Sequence, residues 1–157
     1  MASTKPALPS EVVGARLTVS GPAKLLVVGG VDRFDGAQSV RDAAPFVGEL
    51  DRMWIERMNH GAYAVRHATA LAAGGYAFDG ATDDVIENLD IDLTKYRAID
   101  WFVGEDTAAD DPLSAVSRSE LERFFLGGGS MLVSGSQLIS ALQDRGELQQ
   151  FAELQLH

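Results

Sequence analysis

Two serines flank a glycine at the end of an apolar run, Met131-Leu-Val-Ser-Gly-Ser-Gln-Leu138, shortly after the turn Gly127-Gly128-Gly129. A strand that opens through Ser134-Gly135-Ser136 into helix-like sequence puts Ser136 at a strand-to-helix elbow. In α/β proteins such elbows lie at the carboxyl edge of the sheet, where side chains project into the ligand crevice and helix N-termini offer free N–H groups. Hydrolases of several folds hold a nucleophilic serine at this kind of turn. Ser-Gly-Ser is equally ordinary loop and N-cap chemistry. In the catalytic reading Ser136 is the nucleophile, Glu105 or His60 is the assisting group, and backbone N–H groups after the elbow stabilise an oxyanion.

Further polar residues fall where strands are expected to end: Asp32 and Arg33, Asp79, Glu105 and Asp106, and Ser134. Asp32-Arg33 reads as an internal ion pair or turn, with Arg33 able to grip a substrate carboxylate. His67 sits in an alanine-rich helical stretch and reads as a packing or hydrogen-bonding histidine. No metal is expected: His60 and His67 are two turns apart, roughly 10 Å of rise, too far to share zinc without other ligands. The acidic run Asp79, Asp83, Asp84, Glu87, Asp90, Asp92 invites calcium. It lacks the glycine and terminal glutamate of an EF-hand loop, so a solvated face is expected. Trp54 and Trp101 have the surfaces to stack on sugar rings, but Trp101 falls within a strand, where core packing is expected.

The elements that must position these groups follow from periodicity. Lys24-Leu-Leu-Val-Val-Gly-Gly30 is a short apolar run ended by glycines, the pattern of a strand buried on both faces. Residues 31–59 read as a long irregular connection interrupted by Pro45 and Gly48, placed to cover a crevice. Asn59 is expected to N-cap a helix over residues 61–73, with Gly74-Gly75 as its stop. Residues 76–78 and 98–103 read as strands, with a short acidic helix between them. Ser117 and Glu120 fit a capping box that opens a helix buried through Leu121, Phe124 and Phe125 and ended at Gly127. Strand 131–133 then leads through the elbow to a helix ending near Leu142, and residues 147–157 are again helix-like. This order predicts a three-layer α/β/α, flavodoxin-like fold with a mostly parallel sheet.

A chain of 157 residues with 46% hydrophobic and 23% charged content supports one core of ordinary size. Its net charge of -10 and its lack of a Lys/Arg cluster argue against nucleic acid and anionic membranes as partners. There is no cysteine to form a disulfide, a thiolate metal site or a thiol nucleophile. No transmembrane run or signal peptide is evident, so no membrane insertion is expected.

The blocks Val27-Val-Gly-Gly-Val-Asp-Arg-Phe34, Asn59-His60, Tyr63-Ala-Val-Arg-His-Ala68, Gly75-Tyr-Ala-Phe-Asp79, Ile99-Asp-Trp-Phe-Val-Gly-Glu-Asp106 and Gly127 through Ser136 occur in a telling order. Over residues 24–142 they resemble the class I glutamine amidotransferase-like domain at the end of bacterial secreted proteins labelled N-acetylmuramoyl-L-alanine amidase or xanthan lyase. Residues 7–16 are similar to the tail of a fibronectin type III domain, so residues 1–22 read as an extended lead-in and 23–157 as the α/β domain. The resemblance implies an extracellular or cell-envelope location, a glycan or cell-wall-derived substrate and no cofactor. It also departs from the family's pattern. Amidotransferases proper carry cysteine at the elbow and a histidine after a later strand, whereas this chain has Ser136 and ends about where more strands are expected. Two functions therefore stand side by side: hydrolysis at Ser136, or a noncatalytic glycan- or protein-binding module with a degenerate amidotransferase-like fold. A sheet that stops early leaves an edge strand that must be covered or paired, which makes a homodimer through that edge an expectation as well.

Overall fold

The structure, a computed structural model, describes residues 24–32, 36–54, 59 and 62–149. The lead-in, Arg33, His60 and residues 150–157 lie outside the described residues. Six strands are present among the described residues: β1 (Leu25–Gly29), β2 (Val40–Ala44), β3 (Gly48–Arg52), β4 (Phe78–Thr82), β5 (Ala98–Gly104) and β6 (Ser130–Gly135). The helices are α1 (Tyr63–Ala73), α2 (Asp83–Glu87), α3 (Ala115–Leu126) and α4 (Leu138–Asp144).

Four strands form one parallel sheet in the order β4-β1-β5-β6. Alternation along β1 and β5 explains why helices are needed on both faces. Leu26, Val28, Ile99, Trp101 and Val103 point to one side and meet Ile86 of α2, Leu121 and Phe124 of α3, and Leu138 and Leu142 of α4. Val27, Phe78 and Phe102 point to the other, against Tyr63, Ala64, Ala68, Leu71 and Ala72 of α1. The fold is therefore the α/β, flavodoxin-like arrangement that the sequence predicts. Among the described residues no helix is long and apolar enough to cross a membrane.

Several local readings are corrected. The connection read as irregular contains the antiparallel β2–β3 hairpin, a separate two-stranded sheet in which every residue of β3 is exposed. Asn59 does not cap α1: Ala62 holds the N-cap position without a side-chain bond, and Asn59 is buried elsewhere. The cap of α3 is Ser114, whose hydroxyl accepts from the Ser117 N–H at 3.2 Å. Ser117 itself is buried inside the helix, and Glu120 pairs with Arg123 at 2.8 Å. A capping box does occur earlier in the chain, between Thr107 and Asp110. The second strand of the parallel sheet begins at Phe78, about where it was expected to end, and this moves Asp79 off the sheet's edge.

Candidate functional site

Parallel strands bring their exits to one side, so the segments after β1, β4, β5 and β6 gather at the carboxyl edge. There a buried polar bracket holds them in register. Asn59 and Asp106 are both fully buried. The Asn59 amide donates to Asp106 Oδ1 at 2.5 Å, and its Oδ1 accepts the Glu105 N–H at 2.8 Å. Asp106 Oδ2 accepts the Asp32 N–H at 3.1 Å, which ties the exit of β1 to that of β5. The Ser136 N–H donates to the Gly104 carbonyl at 2.8 Å and brings in the exit of β6. Gly104 has φ +55, and a Cβ there would be driven into the Asn59 side chain, so this strand end requires glycine.

Ser136 stands where the sequence puts it, one residue past β6, with Gln137 in the left-handed region before α4. Its hydroxyl donates to the main-chain carbonyl of Asp106 at 3.4 Å, a long bond. Among the described residues it makes no hydrogen bond to an imidazole or a carboxylate. Glu105 is exposed, and no bond joins its carboxylate to Ser136. Asp106 serves the bracket. Asp79 lies in the second position of β4, on the face away from α1, and accepts from the Tyr96 hydroxyl at 3.0 Å. Loss of water and the neighbouring carboxylate push the Tyr96 phenol up to about 12. Asp79 is thus half-buried within β4 and not at the carboxyl edge.

Of the acidic run from Asp79 to Asp92, Asp83 comes close to this edge; it reads in the sequence as part of a solvated face but is only 6% exposed. Burial, followed by the negative charge of Asp32, pushes its carboxyl up to about 7. Asp32 is raised to about 6 by partial loss of water and then by Asp106. Beside Asp83 the fully buried Trp101 presents its indole N–H toward Gly30, where a Cβ would come within 2.7 Å of the nitrogen. Among the described residues that N–H has no hydrogen-bond partner. Among the described residues no group of three His, Cys, Asp or Glu is placed to hold a metal ion.

On the α1 side of the same edge lies an open pocket of about 220 Å³, lined by Tyr63, His67, Phe102, Gly104, Glu105, Ser134 and Gly135. His67 is its most organised member. Its Nδ1 is 2.7 Å from Asp100 Oδ2, and its ring stacks on Phe102 at 4.9 Å between centroids and 25° between planes. A carboxylate only accepts, so Nδ1 carries the hydrogen. Two signals for this pair were present in the sequence. Tyr63 and His67 are four apart and share a helix face. Asp100 alternates with Ala98 and Phe102, which places an acid against that helix.

No protein-family model matches the chain, and no curated protein or solved structure matches it either.

Proposed function

We propose that this is a noncatalytic ligand-binding module, a degenerate class I glutamine amidotransferase-like domain of an extracellular or cell-envelope protein, which takes a glycan unit at its carboxyl edge. The observation that carries this reading is the environment of Ser136, whose hydroxyl is engaged by a backbone carbonyl. Serine at its ordinary basicity is a weak nucleophile and needs an adjacent base. The pocket beside it has the composition of a small polar-ligand site, an aromatic wall with a few convergent polar groups.

One observation favours a second, hydrolytic reading. The imidazole held by Asp100 and the Ser134 side chain line the same pocket, so the serine of a hydrolase here would be Ser134 and not Ser136. Treatment with a fluorophosphonate probe, followed by intact mass and peptide mapping, separates the readings. The binding module stays unlabelled while folded. Labelling that disappears in Ser136→Ala restores hydrolysis at the elbow, and labelling that disappears only in Ser134→Ala establishes the second reading.

A further inference from the structure

We infer that the pocket selects a sugar-sized ring bearing hydroxyl or amino groups over an acidic ring of the same size, with His67 Nε2 as an acceptor that Asp100 holds in place. The inference rests on the proposed binding function and names its ligand class.

The first support is the His67–Asp100 pair. With Nδ1 committed to Asp100, the polar atom that the neutral ring brings to the pocket is Nε2, and it is an acceptor. Stacking on Phe102 and the partial burial of both partners, 24% and 15% exposed, fix the ring so that little rotamer freedom is lost when a ligand binds. Among the described residues Asp100 Oδ1 is buried without a hydrogen-bond partner, and the bond that ties the carboxylate down is the one to His67. Asp100 is therefore a positioning residue.

The second support is charge. Glu105 stands exposed at the rim with its carboxylate in solvent, and its main chain is pinned by Asn59, so this negative charge is held beside the pocket. The whole chain adds a net charge of -10. An acidic ring meets repulsion from Glu105 and from the molecule as a whole, whereas hydroxyls and amines donate to Glu105 and to His67 Nε2. A volume of about 220 Å³ accommodates one such ring and not an extended chain.

The test uses the full chain, labelled with ¹⁵N and titrated with methyl glucoside, glucosamine and glucuronate. The first two are expected to shift the amides of Gly104, Glu105, Ser134 and Gly135 and the His67 ring nitrogens, with glucuronate binding about tenfold more weakly or not at all. His67→Phe keeps the stacking ring and removes the acceptor, so affinity for the neutral sugar falls by about tenfold, the worth of one hydrogen bond. Glu105→Gln keeps the fold and narrows the gap between glucuronate and the neutral sugar. Asp100→Asn moves the His67 hydrogen toward Nε2, visible in the ¹⁵N shifts of the ring, and weakens binding of the neutral sugar. Equal binding of glucuronate, or unchanged binding by His67→Phe, overturns the inference and leaves the binding function standing. If no sugar of any charge perturbs the pocket, the binding function and the inference fall together.

Discussion

Asp83 shows how one side chain can set the molecule's response to pH. Its carboxyl, ordinarily near 3.8, is raised to about 7, so the folded state holds its proton more tightly than the unfolded state. A group raised in this way contributes stability that is complete below 3.8 and is lost as pH rises through about 7. Wild-type stability from this residue is accordingly higher at pH 5 than at pH 8. In Asp83→Asn the amide oxygen can still accept the Asp84 N–H that Asp83 Oδ1 holds at 3.1 Å. The variant should be more stable than wild type at pH 8, by roughly 2–4 kcal/mol, with the gain shrinking toward pH 5. Urea melts at the two pH values check this, and an equal gain at both would sink it. The residue scale is also where the sequence was hardest to read. Asp83 is indistinguishable in composition from its exposed neighbour Asp84, and only the strand shift that starts β4 at Phe78 makes it the residue that turns inward.

Elements were legible where a period or a punctuating residue was strong. The glycine-ended run of β1, the double-glycine stop of α1 and the apolar stripe of α3 all reached the structure with small boundary shifts. The β2–β3 hairpin is not marked in the sequence because β3 is exposed along its whole length and β2 alternates only between half-buried and exposed positions, so neither carries an apolar face toward a core. Its turn also places Phe46 at φ 72, where glycine or asparagine is the usual signal. Part of the candidate site was legible, namely the convergence of Asp32, Glu105, Asp106, Ser134 and Ser136. What was not legible is which of these the fold uses for itself. Asp106 is spent on Asn59 and the Asp32 N–H, a contact 47 and 74 residues apart in the chain, and no local pattern reports it. At this scale β6 makes its own prediction. Among the described residues it is an edge strand, and Leu132 on its α1-facing side is 64% exposed. Under the edge-pairing proposal, light scattering gives a dimer mass for wild type, and Leu132→Lys, a charge of the kind that natural edges use against pairing, shifts it to monomer. A monomeric wild type removes the proposal.

For the whole molecule the parallel sheet divides labour between its two faces. The larger core, with Trp101, Phe124 and Leu121 fully buried, lies against α2, α3 and α4 and carries most of the apolar burial. Among the described residues the face toward α1 has only three buried apolar side chains, and α1 itself has no buried residue. The pocket therefore sits on the less tightly packed side, where a small cavity costs least and where a ligand ring finds space. Across this asymmetry runs the bracket of Asn59 and Asp106, which joins the exits of β1 and β5 to the segment before α1. Its hydrogen bonds share two fully buried side chains, Asn59 and Asp106, so loosening one bond disturbs the groups that make the others. The carboxyl edge should then behave as one cooperative unit on the timescale of local unfolding. In native-state hydrogen exchange the amides of Asp32 and Glu105 are expected to open with a common free energy, and Asn59→Ala should lower both together even though only Glu105 bonds directly to the residue removed.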